Sequence, residues 1–210
     1  MSAARPLAGQ VAIVTGAGRG LGRAVARALA VPTDVTQDAA VEKLVEEIVG
    51  DFGRLDILVT AAGTASFGPV AGAKPADWDA MLAVNLRAVM VCCRAVLPIM
   101  IRQRRGTILN VASVAAQRAI PGGAAYAATK AGVVAWSRVL AEELRAERVR
   151  VGVLSPGAVD TPLWDAIPNG PDRARMLRPE DVARAAVLMV SLPPGASLEE
   201  LTLLPVGGIL

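Results

Sequence analysis

Val11-Ala12-Ile13-Val14-Thr15-Gly16-Ala17-Gly18-Arg19-Gly20-Leu21-Gly22, residues 11–22, decides how the chain folds. Val11 to Thr15 is a short apolar run rich in β-branched side chains, the pattern of a strand buried on both faces. Glycines at 16, 18, 20 and 22 follow it, and a helical stretch from Arg23 to Ala30 comes next. Strand, glycine turn and helix in that order form a cradle for phosphate. The glycines let the backbone approach an anion, and free N–H groups at the helix start face it. The same segment without a ligand is simply a tight strand-to-helix turn.

Strands and helices alternate along the rest of the chain. Val31 to Val35 reads as a short strand. Val41, Leu44, Val45, Ile48, Val49 and Phe52 recur at three- and four-residue spacing, which predicts a helix. Asp56 to Thr60 and Thr107 to Ala112 read as strands, and Asp77 to Gln103 as a long helical region broken or kinked near Pro98. A helix over Ala124–Ala146, a strand over Arg150–Leu154, a helix over Glu180–Ser191 and a strand over Leu201–Pro205 complete the order. This alternation predicts one α/β domain spanning residues 1–210. Its core is a doubly wound, Rossmann-like parallel sheet between two helical layers, α/β/α. Ligands then bind beyond the carboxyl ends of the strands, and Gly16, Gly63, Ser113 and Pro156 all follow strands there.

The chemistry is narrowed by what is missing. The chain has no histidine and a single tyrosine, Tyr126, in Tyr126-Ala127-Ala128-Thr129-Lys130. Proton transfer must then fall to this phenol, a lysine or a carboxylate. Tyrosine and lysine four apart share a helix face, and an ammonium beside a phenol lowers its pKa. The pair alone is also what a half-buried tyrosine and a solvated lysine look like.

Together these features resemble the short-chain dehydrogenase/reductase family over most of the chain. Thr15 to Gly22 is similar to the family's cofactor turn, which implies cofactor contacts from Gly16, Gly18, Arg19, Gly20, Leu21 and Gly22. Asp34-Val35 matches the adenine-contact dipeptide. Ala61-Ala62-Gly63 stands where the family commonly has Asn-Ala-Gly, and Pro156-Gly157 with Thr161 matches the turn that covers the nicotinamide. Asn85, Ser113, Tyr126 and Lys130 match the catalytic tetrad in order and spacing, Ser113 lying thirteen positions before Tyr126. The resemblance implies hydride exchange between a nicotinamide cofactor and a small carbonyl or alcohol substrate. Tyr126 would move the proton, Ser113 hold the substrate oxygen, and Lys130 lower the phenol pKa and bond the nicotinamide ribose. Asn85 would position a water through its backbone carbonyl. Arg19 resembles the basic residue of NADP-preferring members, so NADP(H) is expected over NAD(H). The family commonly pairs through two helices. A homodimer or homotetramer is therefore expected here, through Val89, Val91, Cys92 and Val96 of one helix and Val133, Val134, Trp136 and Leu140 of the other.

One stretch departs from the pattern. Val31–Val35 follows the first helix at once, although helix-to-strand loops usually need about 2–6 residues. In the family this segment is the third strand, so the second strand and its helix are missing, on the order of 20–25 residues. Two readings stay open: Val31–Val35 takes the second strand's place in a shortened fold, or the segment is absent only from this sequence. Two readings of function stay open beside the main one. They are a reductase of 3-oxoacyl-carrier thioesters and a fold-sharing scaffold with impaired cofactor binding.

Composition excludes other classes. Of 210 residues, 53% are hydrophobic and only 3% aromatic, which suits an Ala/Val/Leu-rich core. The net charge of +3 is modest, and the cluster Arg102, Arg104, Arg105 has no interleaved aromatics, so no nucleic-acid partner is expected. No window of 18 uncharged apolar residues points to a membrane. The adjacent Cys92 and Cys93 read as reduced core thiols of a cytoplasmic protein, and without histidine or spaced cysteine pairs no metal site is expected.

Overall fold

The computed structural model describes residues 7–26, 31–165, 167 and 170–209. Five parallel strands form one sheet: β1 (Ala12–Thr15), β2 (Ile57–Thr60), β3 (Gly106–Val111), β4 (Val149–Pro156) and β5 (Glu200–Leu203). The helices are α1 (Gly20–Val25), α2 (Asp38–Phe52), α3 (Pro75–Leu82), α4 (Ala88–Gln103), α5 (Ala124–Leu144) and α6 (Pro179–Val190). β2 and β3 are buried at every position, as expected of strands covered on both faces.

Side chains alternate across the sheet and sort the helices into two layers. Leu58, Ile108, Val151 and Val153 face α2, α4 and α5. Ile57, Val59, Leu109, Val111 and Leu154 face α6, with Leu21 and Val25 of α1 joining that side. The expected three-layer α/β arrangement follows. The strands lie across the sheet in chain order. The helix of the β4–β5 crossover lies on the face opposite the helices of the two crossovers before it, so its hand is reversed.

Val31–Val35 does not form the expected strand. Pro32 has no N–H to give a ladder. Asp34 instead closes a turn: its Oδ1 accepts from the Thr36 N–H at 2.9 Å and the Thr36 hydroxyl at 2.7 Å, and the Gln37 N–H reaches the Asp34 carbonyl at 3.1 Å. These bonds hold the Asp34 carboxyl below its ordinary pKa, the Thr36 N–H contributing most. Among the described residues nothing pairs with β1 on the side away from β2. α1 ends at Val25 with Ala26 extended, and the rest of the helical stretch expected to Ala30 lies outside the described residues.

β1 is fastened to β2 at both ends. The Asp56 carboxylate accepts from the Val11 N–H at 2.9 Å and from Arg54 at 2.9 and 2.6 Å. At the carboxyl end Thr15 Oγ1 accepts from the N–H groups of Ala61 and Ala62, at 3.1 and 3.2 Å.

From Pro75 to Gln103 the chain is helical for 29 residues, with mean hydropathy of 1.8 in its most apolar stretch. By length and composition it could cross a bilayer, which the count of uncharged residues did not anticipate. Its apolar side chains, Val89, Cys93, Val96 and Met100 among them, are instead part of the core. The irregular turn is a π-turn over Ala83–Arg87, while α4 continues through Pro98. The side chains expected to pair two copies are core too. Val89, Val91, Cys92 and Val96 of α4, and Val133, Val134 and Leu140 of α5, are all buried in the chain's own core, with Trp136 packed beside them. Burial also pushes the Cys92 and Cys93 thiols up, to about 11 and about 12, so both stay protonated near neutrality.

A polar cluster crosses this core. Asn110, at 0% exposure, accepts from the Thr60 hydroxyl at 2.8 Å and donates to Ser137 Oγ at 2.9 Å. Asn110→Ala strands the Thr60 hydroxyl without an acceptor and opens a cavity, at an expected cost of about 2–3 kcal/mol. Thermal denaturation should show Tm falling by roughly 5–10 °C. A fall under about 2 °C would mean that the cluster contributes little.

Candidate active site

The carboxyl ends of β1, β2, β3 and β4 open into a cavity of about 1100 Å³. The glycine turn forms one wall, through Gly16, Gly18, Arg19, Gly20, Leu21 and Gly22. The turn is built by close approach. A side chain at Gly22 would run into the Gly16 carbonyl oxygen, and one at Gly16, whose φ is +69°, would meet the Ala62 backbone at 2.8 Å. At Gly18, by contrast, nothing lies within 4 Å of where a Cβ would stand, so the turn leaves open space on that side for a ligand. Backbone this bare, beside the start of α1, fits a pyrophosphate.

Ser113, Tyr126 and Lys130 line the same cavity with Ala61, Ala62, Gly63, Pro156, Gly157 and Thr161. Ser113 ends the segment after β3, where its Oγ accepts from the Ala115 N–H at 3.1 Å. That bond occupies a lone pair and leaves the hydroxyl proton available. Tyr126 and Lys130 lie in the first two turns of α5, and the Lys130 ammonium stands 5.8 Å from the phenol ring centre. Lys130 Nζ donates to the Val111 carbonyl at 3.0 Å.

The electrostatics differ from the sequence expectation. Burial pushes the Tyr126 phenol above its ordinary value, with the Ser113 hydroxyl pulling the other way. Lys130 does not bring it down, because burial lowers the lysine itself to about 8. Each group resists ionising for the same reason, the loss of water.

Asn85 does not line the cavity but stands behind it, in the π-turn. Such turns recur at functional sites. Its Oδ1 accepts from the Thr64 N–H at 2.9 Å, and its Nδ2 donates to the Thr64 carbonyl at 2.8 Å and to Thr129 Oγ1 at 3.2 Å. Thr129 in turn donates to the Tyr126 carbonyl at 2.8 Å. Asn85 thus ties the loop after β2 to the turn of α5 that carries Tyr126. Thr64 and Thr129 escaped the sequence reading, although Thr129 sits three positions after Tyr126 on one helix face. Thr60, at the end of β2, donates to Asn110 of β3.

Two expected cofactor contacts fall elsewhere. Asp34 and Val35 do not line the cavity: Asp34 is committed to its turn and Val35 packs against the core beside α2. With no third strand to carry them, they do not reach the strand ends. The described residues therefore fit the pyrophosphate and nicotinamide ends of a dinucleotide, and supply no wall at its adenosine end. No cluster of three or more metal-ligating side chains occurs among the described residues.

A family model described as short chain dehydrogenase matches residues 26–172, a span that begins beyond the glycine turn. The chain is 36% identical over 152 residues to the 3-oxoacyl-acyl-carrier-protein reductase FabG of Thermotoga maritima, covering 69% of this chain and 62% of that protein. It is 40% identical over 157 residues to the D-threitol dehydrogenase of Mycolicibacterium smegmatis, covering 69% and 59%. The chain thus spans about 60% of the length of these curated relatives. Among solved structures, a metagenomic short-chain oxidoreductase in complex with NADP superposes with a TM-score of 0.81 at 31% identity, covering 96% of this chain and 99% of that one. Ribose-5-phosphate isomerase from Brucella melitensis 16M superposes with a TM-score of 0.90 at 27% identity, covering 99% of both.

Proposed function

The chain belongs to the short-chain dehydrogenase family, and on that premise we propose that it is an NADP(H)-dependent oxidoreductase interconverting an alcohol with a ketone or aldehyde. The observation that carries this reading is the meeting of Ser113, Tyr126 and Lys130 with the glycine turn around one cavity. When bound, the cofactor supplies or accepts the hydride. The chain's own residues do the rest.

Gly18, Arg19, Gly20 and Leu21 would hold the pyrophosphate through backbone N–H groups, and Pro156, Gly157 and Thr161 would cover the nicotinamide end. The Ser113 hydroxyl donates to the substrate oxygen, fixing it and stabilising charge that gathers there. The Tyr126 phenol gives its proton to that oxygen in reduction and takes it back in oxidation. With its pKa raised, the phenol is fully protonated at neutral pH, which suits the reductive direction. Lys130, bonded to the Val111 carbonyl, would hold the cofactor's ribose with its remaining N–H groups. Asn85 keeps the Tyr126 turn in place through Thr64 and Thr129.

Arg19 supports NADP(H) over NAD(H). It caps α1 in extended conformation, lines the cavity and makes no ion pair among the described residues. A guanidinium facing the adenosine 2′-phosphate contributes about 1.5–3 kcal/mol. Because the adenosine wall is open, the lower end applies: NADPH should bind about tenfold more tightly than NADH, with both affinities weak. Arg19→Ala should remove most of the difference and leave NADH unchanged. Fluorescence titration measures both constants. Tight, equal binding of the two cofactors would make Arg19 an ordinary loop residue, and binding of neither would overturn the proposed activity.

A further inference from the structure

The cavity beyond Tyr126 is walled by aromatic rings that the chain holds in place by its backbone. The whole sequence has two phenylalanines, one tyrosine and three tryptophans, and one of each meets here. Phe67, in the loop after β2, lies 5.8 Å from the Tyr126 ring, and Trp164, after β4, lies 6.1 Å from Phe67 with the planes 17° apart. The Trp164 indole N–H donates to the Val159 carbonyl at 3.0 Å, which satisfies its polar edge and fixes the ring. Phe67 is fixed by its neighbour, since the Gly68 N–H donates to the Gly122 carbonyl at 2.9 Å. The ring then packs over Gly123, where a Cβ would lie 3.0 Å from it. Ile120 and Leu163 complete this apolar end.

The charges lie elsewhere. Arg19 and Lys130 are the charged side chains that line the cavity among the described residues, and no carboxylate does. Arg19 belongs to the glycine turn, and Lys130 is engaged by Val111. Among the described residues the substrate end offers no partner for an anionic group, and beyond Thr64, Ser113, Tyr126 and Thr161 no hydroxyl to satisfy those of a polyol.

We propose that the site takes an uncharged carbonyl or secondary alcohol borne on a flat apolar ring, with Phe67 and Trp164 as the residues that determine this specificity. The inference rests on the oxidoreductase reading. Ring against ring is the favoured contact for such a substrate, and it leaves only the reacting oxygen to be hydrogen-bonded, by Ser113 and Tyr126. A polyol placed there would lose hydration without replacement.

The test is a panel of acetophenone, cyclohexanone, erythrulose and acetoacetate assayed with NADPH, beside calorimetric titration of the protein with 1-phenylethanol. Acetophenone, which carries the flat ring, should show kcat/KM at least about tenfold above erythrulose and acetoacetate, with cyclohexanone, whose ring is puckered, below it. Trp164→Ala and Phe67→Ala should raise KM for acetophenone about tenfold while changing kcat less than about threefold, and Trp164→Phe should restore most of the loss. Erythrulose or acetoacetate turning over as well as acetophenone would overturn the proposal. If no compound turns over with NADPH or NADH, the oxidoreductase reading falls, and calorimetry still decides the pocket. Binding of 1-phenylethanol weakened about tenfold by Trp164→Ala upholds it, and equal binding in both proteins overturns it.

Discussion

Tyr126→Phe should lower kcat by roughly 10²- to 10⁴-fold while leaving cofactor affinity within about twofold. The change removes one oxygen and its proton from a ring that stays packed against Phe67. No other side chain can take over. The sequence has no histidine, Lys130 is held by the Val111 carbonyl, and no carboxylate lines the cavity among the described residues. Ser113 remains to polarise the substrate oxygen, which accounts for a residual rate. Steady-state kinetics with any accepted ketone, together with NADPH titration, make the measurement. A variant retaining more than about a tenth of the wild-type kcat would remove Tyr126 from the proton path.

Lys130→Met should separate activity from stability. Turnover and cofactor affinity should both fall, since on the proposed reading the ammonium would bond the ribose. Stability moves otherwise. Lysine unfolds to an ordinary value of 10.5 and folds to about 8, so between those values the unfolded chain carries the extra proton. Wild-type stability therefore gains as pH rises from about 8 to 10.5, and the penalty for burying the charge is fully present below pH 8. The window corresponds to on the order of 3 kcal/mol. The two cysteines act oppositely above about pH 9, because their folded values are raised. The informative quantity is thus the difference between wild type and Lys130→Met. Urea unfolding should find the variant gaining on the wild type at pH 7 and losing that advantage by pH 10. A difference that stays constant over this range would mean that Lys130 does not titrate there.

What could be read in the sequence was set by periodicity and local spacing. That Ser113, Tyr126 and Lys130 would come together was legible because a strand end and two helix positions four apart, read with the family's spacing, constrain where they lie. The glycine turn was legible for the same reason. Val31–Val35 was misread because its apolar residues suit a strand, whereas Pro32 and the Asp34 turn decide against one. The faces of α4 and α5 were misassigned because each carries apolar residues on more than one side. Composition alone could not say which side meets the sheet. Phe67 was invisible because its position depends on a bond between two loops, Gly68 to Gly122, that are distant in sequence. Lys130's lowered pKa followed from burial that only packing creates.

The chain order of the strands has a consequence for how this molecule comes into being. Each of its four pairings joins a strand to the next one synthesised, closing about 45 residues of chain each time, a modest and uniform entropic cost. No strand waits for a later one to be inserted between it and its neighbour. The sheet can therefore lengthen in step with emergence from the ribosome, one crossover at a time, each new edge serving as template for the next. Among the described residues β1 and β5 each keep one unpaired edge, and β1 keeps its own the longest. Its outer edge gains no partner among the described residues at any stage, so a backbone ladder stands open from the first pairing to the last. Nascent chains crowded on one messenger would meet through that edge before any other.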